Sequence, residues 1–498
     1  MSKAARGITP IQLAINRNSR QPLDAQIAAA LRELILRGAL AAGARLPSSR
    51  TLAQDVQVSR NSVLAAYAQL IAEGYAEALT GSGTRVAAVT PERMLRARPL
   101  ERTSLRAAPR SDTQITDFAR TLRRFSSNVS QLNDRIVPFR IATPALDNFP
   151  INIWTRLLNR AATASTRRQM DAGDPAGELR LRRAIATHIY ITRGVRCEVE
   201  HIVVTSSAQQ AIDIAGRVLV EPGTQIWMED PGYRGAQAIL QALGAQLVPV
   251  PVDADGIDVD VGRRKAPHAR LAYLTPAHQY PLGVTMSLAR RTEILAWARA
   301  ANAYLIEDDY DSEFRFRERP IAALRSIDAE RVIYIGTFSK SLFPGLRLAY
   351  LVLPAALAAP CLAVRWWSDG FAPVVTQQAL AQFIEEAHFE RHLRRMLVLY
   401  RDRHDALCEA GTRYLAKYLE IVPTAGGMHT VGWLRDGLDD VAVAERAAAA
   451  GIDVLPISAF TARRLQRCGL VLGFAAFSPR EIRQAAQSLA ALLTKYRS

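Results

Sequence analysis

GTFSKSLFPGLR, Gly336 to Arg347, directly follows the apolar run Val332–Ile335. The run reads as a buried strand, and it delivers a lysine among small hydroxyl residues rather than into a salt-bridge pattern. A lysine that condenses with an aldehyde needs a neutral amine, and a partly buried, partly apolar setting lowers its pKa. Lys340 has that setting. Thr337, Ser339 and Arg347 beside it supply hydrogen bonds and charge for a phosphate, and the arginine fork suits bidentate phosphate contact.

Working outward, LIEDDYDSEF (Leu305 to Phe314) closes another apolar run. Bound pyridoxal phosphate needs a carboxylate beneath its pyridine nitrogen and a partner for its phenolic oxygen. Asp308 fits the first role and Tyr310 the second. TSSAQQAIDI (Thr205 to Ile214) follows Ile202–Val204 and opens a helix whose small first residues make a ready phosphate site. EDPGY (Glu229 to Tyr233) follows Trp227 and places an aromatic ring where it can stack on a cofactor. TPAHQYPLG (Thr275 to Gly283) follows Leu271–Leu274, with His278 and Gln279 placed to reach the cofactor's face or its 3′-oxygen.

The same alternation holds from about residue 136 to the end. Helical segments separate the short apolar runs Ile202–Thr205, Gln225–Met228, Leu271–Leu274, Tyr304–Ile306 and Val332–Ile335. The pattern predicts an α/β domain with buried strands.

The first part of the chain reads differently. Leu23, Ile27, Leu31, Leu34 and Ile35 give Pro22–Leu36 one apolar face at helical spacing, ended by Gly38 and Gly43. LPSSRTLAQDVQVSRNSVLAAYAQLIAEGY (Leu46 to Tyr75) then predicts two helices across a turn at Val56–Val58. Ser48 or Ser49 caps the first and Ser59 the second, which runs to about Glu73 with Val63, Leu64, Tyr67, Leu70 and Ile71 as its apolar face. Ser59, Arg60, Asn61 and Ser62 leave a polar helix start. In a helix-turn-helix that start enters the major groove, where arginine bonds guanine and asparagine bonds adenine. Tyr75–Val86 reads as two short strands with a Gly81–Gly83 tip able to approach a phosphate, a wing.

Charge agrees with this. The formal net charge is +16, and the first 110 residues carry 16 Lys and Arg against 7 Asp and Glu, a balance that suits phosphate neutralisation. With 498 residues, 49% of them hydrophobic, two or three folded units are expected. Residues 20–88 form the DNA-reading unit, 89–135 an Arg-, Pro-, Ser- and Thr-rich tether read as extended, and 136–498 the α/β unit. The longest apolar stretch, Ala349–Val364, is broken by Pro354 and Pro360 and is shorter than a membrane span. No apolar run follows the first basic residues, so no secretory signal is expected. Cys197, Cys361, Cys408 and Cys468 are scattered, which fits a reduced cytoplasmic compartment and no metal site.

Residues 20–88 resemble the GntR winged-helix family, through G-x-R-L-P-S-S-R-x-L-A followed by V-S-R-N-S-V-x-x-A-Y-x-x-L. The resemblance implies that Arg45 and Arg50 grip phosphates or base edges, that Ser59, Arg60, Asn61 and Ser62 lie on the DNA, and that Gly81 enters the minor groove. From about 136 to 495 the ordered motifs, with FRIATPALDNFP, GDPAGELRLRRAIA and GLVLGFAAF, resemble the fold-type I aminotransferases. The two halves together resemble the MocR subgroup of GntR regulators. By that resemblance Lys340 forms the Schiff base with pyridoxal 5′-phosphate, Asp308 pairs its pyridine nitrogen, Tyr310 its phenolic oxygen, and Tyr233 stacks on its ring. Ala208 through its backbone, Gln209, Ser339 and Arg347 hold its phosphate. The resemblance also implies a homodimer that binds double-stranded DNA and senses the cofactor or a small amine or amino acid. One departure stands out. Related sequences carry an arginine before L-G-F to clamp an amino-acid carboxylate, and Val471 stands there, with Arg467 and His429 as substitutes to be placed. An aminotransferase with an appended DNA module is the alternative, and Val471 argues against net turnover.

Overall fold

The computed structural model describes residues 13–17, 19, 21–79, 83–88, 115–125, 136–317, 321–435, 437–463 and 467–497. The chain divides into two units between residues 113 and 114.

The first unit holds α1 (Leu23–Leu36), α2 (Ser49–Asp55), α3 (Arg60–Ala72), β1 (Ala76–Leu79) and β2 (Gly83–Val86). Ser48 accepts from the Thr51 amide and Ser59 from the Ser62 amide, so both helices start on serine caps. The turn between them passes through Gln57 at φ 51°, a left-handed residue that lets the chain reverse within three positions. Ile27, Leu31 and Ile35 of α1 bury against Val63, Ala66, Tyr67 and Leu70 of α3. Leu64 and Ile71 were expected on this face but are 45% and 37% exposed. The buried stripe runs at spacings of three and four from Val63, which leaves Leu64 and Ile71 on its flank. The Tyr67 hydroxyl donates to the Pro47 carbonyl at 2.8 Å and ties α3 to the start of α2. β1 and β2 pair antiparallel from Ala76↔Val86 to Leu79↔Gly83, the expected wing. Gly81 lies outside the described residues.

The second unit begins inside the segment read as an extended tether. α4 (Asp117–Phe125) is a helix, and its Phe118 and Leu122 pack on the core of this unit. Arg234 lies over the Phe125 ring at 5.8 Å. Phe118, Leu122 and Phe125 fall on one helical face, a signal hidden among the surrounding arginines.

The main sheet has eight strands: β3 (Ile202–Thr205), β4 (Gln225–Asp230), β5 (Gln246–Asp253), β6 (Gly256–Ile257), β7 (Leu271–Leu274), β8 (Tyr304–Asp309), β9 (Val332–Thr337) and β10 (Ala349–Val352). Their order is β3-β10-β9-β8-β7-β4-β5-β6. Neighbours from β9 through β5 are parallel, β10 is antiparallel to both β3 and β9, and β6 is antiparallel to β5. All five predicted runs are strands. β5 escaped the sequence reading because Pro249 and Pro251 interrupt it. They are tolerated because β6 pairs with β5 only at Val252 and Asp253, so neither missing N–H breaks a ladder bond on that side. The stretch Ala349–Val364 is not one element: β10 ends at Val352 and a helix, Ala355–Asp369, follows with Pro360 inside it.

A second, antiparallel sheet of β11 (Leu419–Ile421), β12 (His429–Leu434), β13 (Leu455–Pro456) and β14 (Gly469–Gly473) has the order β11-β12-β14-β13. The largest core cluster joins it to β3 and β10 of the main sheet through Tyr350, Val352, Leu470 and Leu472, with Phe389 and Tyr400 between.

Candidate functional site

In a mostly parallel sheet the strands' carboxyl ends form one edge, and loops leaving that edge meet over it. β3, β4, β7, β8 and β9 all end there. Their loops, with Ala142, Met428 and His429, enclose a cavity of about 350 Å³. Of the residues the sequence singled out for the cofactor, Ala208, Gln209, Tyr233, Asp308, Tyr310, Ser339, Lys340 and Arg347 all line it, as does Thr337.

Lys340 sits in the single turn Phe338–Ser341 after β9, and Nζ donates to the Ala142 carbonyl at 3.0 Å. Burial pulls its pKa down to about 8, against the opposing charges of Asp311 and Asp308. A useful fraction is therefore neutral amine near physiological pH. Arg347 follows the turn Pro344–Leu346 in the left-handed region, at φ 54°. A non-glycine residue held there is a local cost, kept where a side chain must be aimed.

Asp308 is on β8 and 5% exposed. Burial pushes its carboxyl up to about 7, with the Tyr273 hydroxyl pulling the other way. Its Oδ1 has no hydrogen-bond partner. A buried, unpartnered carboxylate oxygen at a cavity wall suits a protonated ring nitrogen. Burial, then the Asp311 charge, holds the Tyr310 phenol well above its usual range, so it keeps its hydrogen.

At the opposite end, Ser207 caps α5 (Ala208–Leu219), and Ser207, Ala208 and Gln209 line the cavity. The first-turn amides of a helix have no carbonyl four residues back; here the Ser207 hydroxyl accepts from that of Gln210, and those of Ala208 and Gln209 lie at the cavity where an anion can use them. Gln209 donates to the Gly235 carbonyl at 2.8 Å at the start of α6 (Arg234–Ala242). A Cβ at Gly235 would lie 2.4 Å from Gln209 Oε1 and 2.5 Å from the Tyr233 ring, so glycine permits this packing. The Tyr233 ring faces Tyr273 at 6.4 Å and 26°. A buried lysine of lowered pKa, a buried carboxyl, a phenol that keeps its hydrogen, a flat aromatic and a helix start lining one cavity fit pyridoxal phosphate.

Two expectations are corrected. Gln279 does not reach the cavity: its amide donates to Glu229 Oε2, Pro231 O and Tyr280 O, which fixes the loop. His278 stands behind Tyr310, with Nδ1 2.9 Å from its hydroxyl, instead of facing the cofactor. Sequence reasoning missed Ser207, Tyr273, Thr275 and Tyr280 as lining residues. Tyr273 was absorbed into an apolar run, although a hydroxyl on a fully buried strand needs a partner, and that is the signal it gave.

Val471 is fully buried on β14, clustered with Val431, Ile457 and Phe460, and Tyr280 packs on that cluster from the cavity side. Arg467 is no substitute clamp, because it pairs with Glu420 at 2.7 Å with both side chains about half exposed. His429 does line the cavity, but burial, with His278 nearby, pushes its pKa down to about 3, so it is neutral.

On the first unit, Arg45, Arg50, Ser59, Arg60 and Asn61 are exposed and Ser62 is half-buried. Ser59 and Ser62 are occupied with each other in the cap, their hydroxyls 2.9 Å apart. Arg60 Nε reaches Ser49 Oγ at 3.3 Å, across from α3 to α2. Arg45 bridges to Arg85 of the wing and lays its guanidinium beside Gly83. The helix start and the wing base thus present exposed guanidiniums and an amide.

Known proteins agree with both halves. Residues 23–86 match the gntR family of bacterial regulatory proteins, and residues 141–489 match aminotransferase class I and II. The chain is 37% identical over 482 residues to a probable rhizopine catabolism regulatory protein, MocR, of Rhizobium meliloti, covering 96% of this chain and 95% of that one. It is 32% identical to the pyridoxine biosynthesis regulator PdxR of Corynebacterium glutamicum, over 94% of this chain and 95% of that one. Among solved structures it is similar to LysN, an α-aminoadipate aminotransferase of Thermus thermophilus. That match has 26% identity and a TM-score of 0.70, over 76% of this chain and 97% of that one. The chain belongs to the MocR subfamily of GntR-type transcription regulators, a winged helix-turn-helix joined to a pyridoxal-phosphate-type aminotransferase fold.

Proposed function

We propose that the second unit holds pyridoxal phosphate on Lys340, Asp308, Tyr310, Tyr233, Ala208, Gln209, Ser339 and Arg347, and that its occupancy sets how the first unit binds an operator. Bound, the cofactor supplies an aldehyde that reacts with primary amines and an electron-withdrawing ring. Lys340 offers the amine. Asp308 keeps the proton on the ring nitrogen. Tyr310 donates to the 3′-oxygen, Tyr233 covers the ring, and Arg347 and the start of α5 take the phosphate. The effector is the cofactor itself or a small amine that displaces Lys340 from it. The protein works in the cytoplasm, as a homodimer that presents two winged helices to two half-sites. Arg45, Arg50, Arg60 and Asn61 carry its DNA contacts.

The observation that carries this reading is the unpartnered Asp308 Oδ1 in the same cavity as Lys340, Tyr310 and the start of α5. The test is operator binding, followed by fluorescence anisotropy on the DNA flanking the protein's own gene. Wild type and Lys340→Ala are compared with and without pyridoxal phosphate. Effector coupling is typically about 5- to 150-fold in affinity. Wild type should shift within that range and Lys340→Ala should bind DNA without shifting. Wild-type binding that ignores the cofactor and small amines alike would reject the sensory role.

A further inference from the structure

Behind Tyr310 lies a buried pair, His278 and Asp311, that the cofactor reading leaves unused. His278, from the loop after β7, places Nδ1 2.9 Å from Tyr310 Oη and 3.0 Å from Asp311 Oδ2. His278 is 6% and Asp311 1% exposed, and neither lines the cofactor cavity. Two glycines make the seat. A Cβ at Gly427 would lie 2.2 Å from His278 Cε1, and one at Gly283 would lie 3.1 Å from Nε2. The ring is therefore fixed by its surroundings.

One nitrogen facing both a carboxylate and a phenol has two possible tautomers. If Nδ1 lacked a proton it would accept the phenol's hydrogen and set its lone pair against the Asp311 oxygen, two acceptors face to face. If Nδ1 carries the proton, it donates to Asp311 and shares that bond with Tyr310 Oη. The second arrangement satisfies Asp311 Oδ2 and leaves the phenol's own hydrogen free. Tyr310 lines the cavity, so that hydrogen is left for a group bound there.

We propose that His278, oriented by Asp311, is a positioning residue that aims the Tyr310 hydroxyl hydrogen at the cofactor's 3′-oxygen. The proposal rests on the assignment of Tyr310 to that oxygen. Its consequence is electrostatic. When the lysine-linked nitrogen loses its proton, negative charge is left on the 3′-oxygen, and a donated hydrogen bond stabilises that charge. Weakening the donor makes the proton harder to remove and raises the pH at which it leaves. The charged and titratable groups facing His278 are Tyr310, Asp311, His429 at 5.0 Å between rings, and Arg193 and Arg315 around the small void at its Nε2. Those facing Tyr310 are His278, Tyr280, His429, Asp308, Asp311 and Glu229. Apart from the residue substituted in each case, all of them stay unchanged in the variants below.

The test is a spectrophotometric pH titration of the full chain reconstituted with pyridoxal phosphate, reading the midpoint of the colour change of the lysine-linked cofactor. Tyr310→Phe should raise the midpoint by about one unit, a tenfold gain in proton affinity. His278→Gln, which moves the amide nitrogen away from the Nδ1 position, should give at least half of that shift. His278→Asn, which keeps an amide nitrogen near that position, should stay close to wild type. Should the glutamine variant fail to fold, His278→Phe fills the ring's space without the nitrogen and should shift likewise. Wild-type 15N NMR adds a reading that needs no variant: His278 Nδ1 should be protonated. The inference falls if Tyr310→Phe shifts the midpoint and the histidine variants do not, if asparagine and glutamine shift it equally, or if Nδ1 is bare. If Tyr310→Phe shifts nothing, or no cofactor binds, the assignment of the site itself falls, and the inference with it.

Discussion

The Tyr273 hydroxyl donates to Asp308 Oδ2 at 2.5 Å, while Oδ1 of the same buried carboxylate has no partner. One oxygen of the acid is anchored by a phenol, and the other is buried without a partner on a residue that lines the cavity.

This arrangement has a pH signature. Burial raises the folded carboxyl to about 7, against 3.8 for the free group. Between those values the cofactor-free folded protein holds a proton that the unfolded chain has lost, so stability falls as pH rises through the window. The cost is absent below the lower value and complete above the upper one, up to about 4 kcal/mol. Cofactor-free Asp308→Asn should therefore melt above wild type at pH 8 and level with it near pH 4, yet fail to retain the cofactor. Thermal melts at the two pH values check this, and a lower Tm for the variant at pH 8 contradicts it.

Lys340 reacts only as a neutral amine, and its pKa is about 8. The rate of cofactor uptake should climb about tenfold per pH unit below 8 and level off above it. Stopped-flow absorbance measures this. Lys340→Ala and Lys340→Arg should show no lysine-linked band at any pH.

The proposed DNA residues would make two kinds of contact. Arg60→Ala or Asn61→Ala should cost about 1–3 kcal/mol on the operator and relax base preference at one position. Arg45→Ala or Arg50→Ala should weaken all sequences alike and lower the slope of log affinity against log salt by about 1. Competition titrations at several salt concentrations separate the two; an Arg60→Ala loss equal on operator and random DNA would place Arg60 on phosphate.

Arg193 Nε pairs with Asp309 Oδ2 at 2.6 Å, 6% and 1% exposed, and the Tyr334 hydroxyl donates to the same oxygen at 2.7 Å. Arg193→Ala leaves a buried carboxylate one residue from the site acid and should cost about 3–5 kcal/mol of stability. Urea denaturation of the cofactor-free protein reads this directly, and a change below about 1 kcal/mol would mean that water reaches Asp309.

Most of the site was legible because its residues leave strand ends in runs that change abruptly from apolar to polar. Asp308, Tyr310 and Lys340 announce themselves in that way. Tyr273 did not, because a phenol inside an apolar run looks like core until its partner is known. His278 was legible as a site residue but not as one acting through Tyr310, since that depends on two glycines more than a hundred residues apart, Gly283 and Gly427. In the fold, β5 was hidden by its prolines and α4 by its arginines. In both cases local composition pointed one way and a tertiary partner decided the other.

The antiparallel β10 stands between β3 and β9, and β8 lies on the far side of β9. Strands repeat about every 4.8 Å across a sheet, so the strand before the helix start, β3, is set about 10 Å from β9, which leads into the lysine turn, and the acid's strand about 5 Å beyond that. The sheet thus acts as a ruler whose gradations are main-chain hydrogen bonds. Exchanging side chains changes what is gripped at each mark but leaves the distance between marks alone. Retuning this domain to a different small molecule is then left to Ala142, Met428 and His429, the wall that the ruler does not measure.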